Sequence, residues 1–191
     1  VRNPTMDNFS DLFIIMGRSW VPFSRYLFNT AFITVVGTAG HLLISSMGAY
    51  VLAKYSFPGS KTFFNIVILA LMFNGYVTAI PNYIIMSKIG WVDTVLAVIV
   101  PAFASPMGVF LMKQYMQGAL PNALLEAAKI DGAGYYRIFW TIVMPIVKPM
   151  WLTLTLFTFR DVWAHVPSGT IFSETLKTLP TIMSQITAGG V

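Results

Sequence analysis

Four long apolar stretches constrain this chain more than any other feature, at about residues 26–53, 63–86, 92–116 and 146–166, and the first two contain no Asp, Glu, Lys or Arg. A helix rises 1.5 Å per residue, so about 20 apolar residues cross a hydrocarbon core of about 30 Å. Inside hydrocarbon every backbone N–H and C=O must be bonded within the protein, which restricts spans to helices or closed barrels. The expected fold class is therefore all-α, a polytopic transmembrane helical bundle. Composition agrees: 56% of residues are hydrophobic and 10% charged, with a mean hydropathy of +0.70, where a soluble domain carries about 25% charged residues.

The net charge of +5 is spread along the chain. Such scatter suits contact with anionic lipid headgroups and forms no basic stripe for nucleic acid. No Cys is present, which excludes disulfides, thiolate metal sites and Cys nucleophiles. There is no His-Glu-x-x-His, no Gly-x-Ser-x-Gly and no carboxylate pair on one helix face, so neither a catalytic site nor a metal site is expected. Gly59-Ser60-Lys61-Thr62 lacks the upstream Gly of a phosphate loop; no ATP site is encoded.

The connections differ in character. Lys54 to Lys61 is a tight turn with Pro58 and Gly59 between two lysines, and Ser87 to Trp91 joins the second and third stretches. The third and fourth are joined by a polar, Ala/Gly-rich insert at about 117–145. Placing the Lys54–Lys61 turn and the insert on one side gives that side only a slight excess of Lys and Arg, weakly favouring a cytoplasmic insert.

Several residues inside the stretches are unusual against lipid. Ser45, Ala49 and Ala53 share one helix face and permit close helix approach. Pro101 and Pro106 interrupt the third stretch, and neighbouring helices or a wet cavity must satisfy the carbonyls they free. Asn65, Asn74 and Asn82, with Pro81, should face protein or water. His41 is expected to hydrogen-bond a neighbouring helix, since no second ligand sits at metal spacing. Arg160-Asp161 either snorkels to the interface or lines a substrate path.

Within the insert, Gly118 relaxes the preceding helix and Pro121 starts a new one. Ala119, Ala123 and Ala127 form a smooth stripe, Leu124, Leu125 and Ala128 an apolar footing, and Glu126 and Lys129 an outward face. Asp131-Gly132 ends the helix, with Gly132 in the left-handed region and Asp131 capping the next turn. A second short helix at about Tyr135–Val143 presents Phe139, Ile142 and Val143 inward until Pro145 breaks it. The mixed charges of this elbow favour a protein partner over bare headgroups.

Glu126-Ala127-Ala128, then Asp131-Gly132-Ala133-Gly134 and closing Pro145, resemble the EAA loop of bacterial ABC importer permeases. Phe28-Asn29-Thr30, Ala49-Tyr50, Phe57-Pro58-Gly59, Ile80-Pro81-Asn82-Tyr83, Gly90-Trp91-Val92-Asp93-Thr94 and Phe110-Leu111-Met112 extend the likeness toward the second permease of maltose-type carbohydrate importers. The resemblance implies six membrane helices, of which four are visible, with residues 1–25 and 167–191 extracytoplasmic and 117–145 cytoplasmic. It also implies partners: ABC ATPase subunits carrying ATP-Mg, a second homologous permease, an extracytoplasmic solute-binding protein, and the lipid of a bacterial plasma membrane. This chain itself would bind no cofactor.

In that scheme Glu126, Ala127, Ala128, Asp131, Gly132, Ala133, Gly134 and Pro145 form the ATPase-coupling loop. Asn74, Asn82, Pro101, Arg160, Asp161 and Trp163 are the candidate translocation path. One departure is that Trp163 is followed by Ala164 and His165 where many relatives have Trp-Asn. A secondary transporter or channel would instead require ion-coupling carboxylates within the spans, where only Asp161 qualifies. An inactive permease fragment is the third reading.

Overall fold

The computed structural model describes residues 21–73, 75–167 and 169–188. Expectations placed on residues 1–20 and on Asn74 lie outside these. Among the described residues every regular element is helical.

Helix α1, Phe23–Lys54, is the spine. Its 32 residues give a length of about 48 Å, more than a hydrocarbon core requires. Its burial pattern is inverted relative to a soluble helix. Asn29, Thr30, Thr34, Thr38, His41, Ser45 and Ser46 are buried, whereas Phe28, Phe32, Val35, Ile44 and Met47 are exposed. Lipid is as apolar as Leu, so such a helix gains by turning small and polar residues inward and bulky ones outward. Pro58 disfavours helix at Phe57, Gly59 adopts φ +92, and the chain turns into α2, Ser60–Leu71.

The stretch 63–86 is not one span. It is divided between α2 and α3, Gly75–Ile89, and at 12 and 15 residues each they reach only about 18 and 22 Å. Gly75, a residue that weakens a helix interior, opens α3 at this division. The third stretch starts later than expected and is broken: α4 is Leu96–Phe103 and α5 is Pro106–Ala119. Ser105 is extended, at φ −69 and ψ 119, as a residue before proline prefers. Pro106 heads α5 and Pro101 lies inside α4.

After α6, Asn122–Ile130, a helical run covers α7, Tyr135–Ile138, a π-helical turn Phe139–Val143, and α8, Met144–Ile146. It then bends by 76° into α9, Lys148–Ala164. Among the described residues two helical runs, Phe23–Lys54 and Leu96–Ala119, are long and apolar enough to cross a membrane, or three if the bent pair counts as one. Residues beyond α9 carry a 3₁₀ turn, Glu174–Leu176, and α10, Leu179–Thr187.

Among the described residues two buried clusters hold the bundle. The larger joins Leu42, Ala49 and Tyr50 of α1 to Met112 and Met116 of α5, Leu125 and Ala128 of α6, Ile138, Phe139, Val143 and Leu154. The smaller joins Ile33 to Val98, Ile99 and Ile171. Ser45 and Ala49 are fully buried and Ala53 packs at the edge of the larger cluster, so the small-residue face of α1 does receive a close neighbour, chiefly α5.

Candidate functional site

The elbow is anchored at both ends. Leu120 and Pro121, both extended, turn the chain out of α5. Lys54 Nζ donates to the Leu120 carbonyl at 2.5 Å and to Asn122 Oδ1 at 3.1 Å. The Lys54–Lys61 turn and the elbow therefore lie at the same end of the bundle.

Helix α6 ends in a paired-bond stop. Gly132 takes φ +80; its N–H donates to the Lys129 carbonyl, and the Ala133 N–H donates to the Ala128 carbonyl, both at 3.0 Å. This is the 6→1 and 5→2 pattern that satisfies the last carbonyls of a helix, and it requires the left-handed conformation that glycine adopts without a Cβ penalty. Gly134 then occupies the N-cap of α7 without a side-chain cap. The expected capping by Asp131 does not occur, because Asp131 closes α6 instead.

Leu125 and Ala128 are the buried residues of α6, and Leu124 is 39% exposed. Leu124 therefore belongs to the outer face rather than to the footing. Four-residue helices cannot bury much, so the second half of the footing comes from Ile138, Phe139 and Val143. Tyr50 packs on Phe139 with ring centroids 5.6 Å apart, and Tyr55 on Tyr135 at 6.1 Å. Pro145 does not break the run. The π turn immediately before it offers the wider ladder a missing N–H demands, and the bend falls at Val147, ahead of Pro149.

Facing outward are Ala123, Glu126, Ala127 and Ile130, the last 86% exposed. Ala119 does not extend this stripe, since it ends α5 before the Leu120–Pro121 turn, and Pro121 is the N-cap rather than the first helical residue. Lys129 is exposed but lies back over two rings, 5.5 Å from the Tyr55 centroid and 5.7 Å from Tyr135. The outer face thus offers methyl groups, Leu124, Ile130 and the Glu126 carboxylate on a helix locked at both ends.

The residues proposed for a path are dispersed. Asn82 is half-buried on α3, a helix that contributes nothing to either buried cluster. Pro101 and Trp163 are half-buried on α4 and α9. Those two helices meet α1 at Gly37, where a Cβ would stand 3.4 Å from Val162 and 3.5 Å from Ala102. Trp163 stacks on Phe159 at 5.6 Å. Arg160 and Asp161 are exposed near the end of α9.

Sequence reasoning passed over the bonds at the opposite end. Asn29 Nδ2 donates to the carbonyls of Thr175 at 2.8 Å and Lys177 at 3.2 Å. The Leu179 N–H donates to Thr30 Oγ1 at 2.8 Å. Asp93, at φ 62, accepts the Phe172 and Ser173 N–H groups at 2.9 and 2.8 Å on Oδ1, and the Ser173 hydroxyl on Oδ2. These hydrogen bonds hold its carboxyl below the usual range, the Ser173 hydroxyl foremost. Both residues stand in motifs that carried the resemblance, which was the available signal.

An inverted, lipid-suited exterior defines an integral membrane protein, here with a rigid elbow at one end of the bundle. The chain belongs to the family described as binding-protein-dependent transport system inner membrane component, whose model matches residues 1–188. It is 35% identical over 178 residues to the arabinooligosaccharides transport system permease protein AraQ of Halalkalibacterium halodurans, covering 92% of this chain and 62% of that protein. To the sn-glycerol-3-phosphate transport system permease protein UgpE of Yersinia enterocolitica it is 34% identical, covering 78% and 52%. The crystal structure of a bacterial ABC transporter involved in import of the acidic polysaccharide alginate shares the fold, with TM-score 0.77 at 24% identity over 92% of this chain and 61% of that one. The chain thus spans roughly half to two-thirds of the relatives it matches.

Proposed function

We propose that the chain is the membrane permease portion of an ATP-driven, binding-protein-dependent importer for a sugar or oligosaccharide, coupled to its ATPase through the elbow 117–145. In this reading residues 26–166 are the permease core, holding four of six membrane segments, with the second and fourth completed by broken helices. Residues 1–25 and 167–191 lie on the extracytoplasmic side and the elbow on the cytoplasmic side. The partners are a pair of ABC ATPases carrying ATP-Mg, a homologous second permease and a solute-binding protein. Pro101, Arg160, Asp161 and Trp163, with Asn74 and Asn82, are assigned to the translocation path. Family membership supports the importer class, and the relative named for arabinooligosaccharides supports the carbohydrate class.

The observation that carries the coupling role is the contrast across α6. Leu125 and Ala128 are buried in the bundle, while Glu126, Ala127 and the 86% exposed Ile130 face outward. A face of methyl groups with one carboxylate lets another protein approach closely, and the glycine stop at Gly132 keeps the face from yielding under load. Nucleotide-dependent closure of the ATPases then acts on a lever, biasing a two-state bundle by differential binding.

The test is to purify the full-length protein with its ATPases and compare wild type with Glu126→Lys in proteoliposomes. The expected result is normal insertion with ATPase association and sugar uptake both reduced at least tenfold. Unchanged association and uptake in Glu126→Lys would overturn the docking assignment.

A further inference from the structure

The break between α4 and α5 leaves the Phe103 carbonyl at the end of a helix, without an intrahelical donor in a hydrophobic setting. The His41 ring answers it. Its Nδ1–H donates to the Phe103 carbonyl at 3.2 Å, from a side chain only 1% exposed. The acceptor is a carbonyl, so Nδ1 carries the proton and Nε2 the lone pair. Ser45 Oγ, one helical turn along α1, lies against the same ring, 3.3 Å from Nδ1 and 3.4 Å from Nε2.

Two glycines make room for this arrangement. A Cβ on Gly108 of α5 would fall 2.2 Å from His41 Nε2 and 2.6 Å from Ser45 Oγ. A Cβ on Gly40 of α1 would fall 2.2 Å from the Phe103 ring. Each side of the break is therefore fitted to α1: Phe103 of α4 lies over Gly40, and Gly108 of α5 closes over His41.

We propose that His41 is a positioning residue that fixes the angle of the broken third span, holding the Ala104–Ser105 break against α1. The proposal concerns the permease bundle itself and rests on the transport reading only for its consequence, that releasing the break alters the coupling of motion along α4 to the elbow end. Removing the donor leaves a part-buried carbonyl without its side-chain partner, and the break relaxes toward any other donor it can reach.

The 191 residues contain no cysteine, so Ser105→Cys serves as a reporter in the full-length protein, with any cysteine elsewhere in that chain replaced. Its rate of alkylation by N-ethylmaleimide in membranes reads exposure of the break without requiring transport. With His41→Leu the rate is expected to rise several-fold, and with His41→Asn, whose amide keeps a donor near the Nδ1 position, to return toward wild type. Gly108→Ala, which evicts the ring, should match His41→Leu, and combining them should add nothing further. Equal rates in all variants, or His41→Asn behaving like His41→Leu, would overturn the proposal. Detergent melting of each variant confirms folding, and if His41→Leu does not fold, Gly108→Ala against Gly108→Ala with His41→Asn carries the same comparison. A changed rate with unaltered uptake leaves the positioning role standing and counts against the coupling consequence alone.

Discussion

Lys54, the last residue of α1, donates to the Leu120 carbonyl at the exit of α5, 66 residues later in the chain. A cation at a helix C-terminus is favoured by the helix dipole, and here it also satisfies a carbonyl at the C-terminal end of α5. The bond sets where the elbow leaves the bundle. Lys54→Met keeps the stem and removes the donor, so the expected loss is about 1–2 kcal/mol of local stability for a half-exposed charged hydrogen bond. Hydrogen exchange should accelerate in residues 120–130 with little change in α1.

Gly132 has open space around its missing Cβ and φ +80. The penalty for Gly132→Ala is then backbone strain alone, about 1 kcal/mol, and Gly132→Asn should cost less because Asn tolerates the left-handed region. Gly132→Pro removes the conformation and the N–H that bonds Lys129. Uptake measured against membrane abundance should fall in the order Gly, Asn, Ala, Pro, with Pro uncoupled while still inserted.

Asp93 ties the start of the third stretch to the segment after α9. Its carboxyl is held below the ordinary range by the Ser173 hydroxyl and the Ser173 and Phe172 N–H groups. A depressed folded pKa contributes stability that is present above the unfolded value of about 3.9 and is lost as pH falls through the folded one. Protection of the Phe172 and Ser173 amides should be flat from neutral pH to about pH 5, and decline only in stronger acid. Asp93→Asn, which tolerates φ 62 but carries no charge, should remove that acid-dependent step.

Asn29 is 8% exposed and donates to two carbonyls. Asn29→Leu leaves both without this donor, an expected cost of about 2–4 kcal/mol. Asn29→Asp should be worse, since it aims a carboxylate at two carbonyl oxygens. Melting in detergent, with proteolysis of residues 174–188 as the local readout, checks the order.

The long apolar stretches were legible because hydrocarbon imposes one length and one composition on anything that crosses it. Where those stretches break was less so. Pro101 and Pro106 announced a disturbance, but the stop falls at Ala104–Ser105, set by the residue before Pro106 rather than by Pro101, which α4 absorbs. Pro145 announced a stop that the π turn avoids. The choice between Leu124 and Leu125 for the footing depends on the angle at which α6 meets α5, which Leu120 and Lys54 set from outside the helix. Asn29 and Asp93 stood in quoted motifs, but their bonds were not legible for a related reason: the partners lie 146 and 79 residues away, and no local pattern encodes such a pairing.

The inward-facing hydroxyls and small residues of α1 carry a thermodynamic consequence. Separating this helix from its neighbours within a bilayer would transfer threonines, serines and an imidazole into oil, and would hydrate almost no hydrocarbon. The heat-capacity increment that marks the melting of soluble domains should therefore be small here. Calorimetric traces of the assembled transporter would then owe their curvature to its water-exposed components, while the bundle contributes a nearly temperature-independent enthalpy.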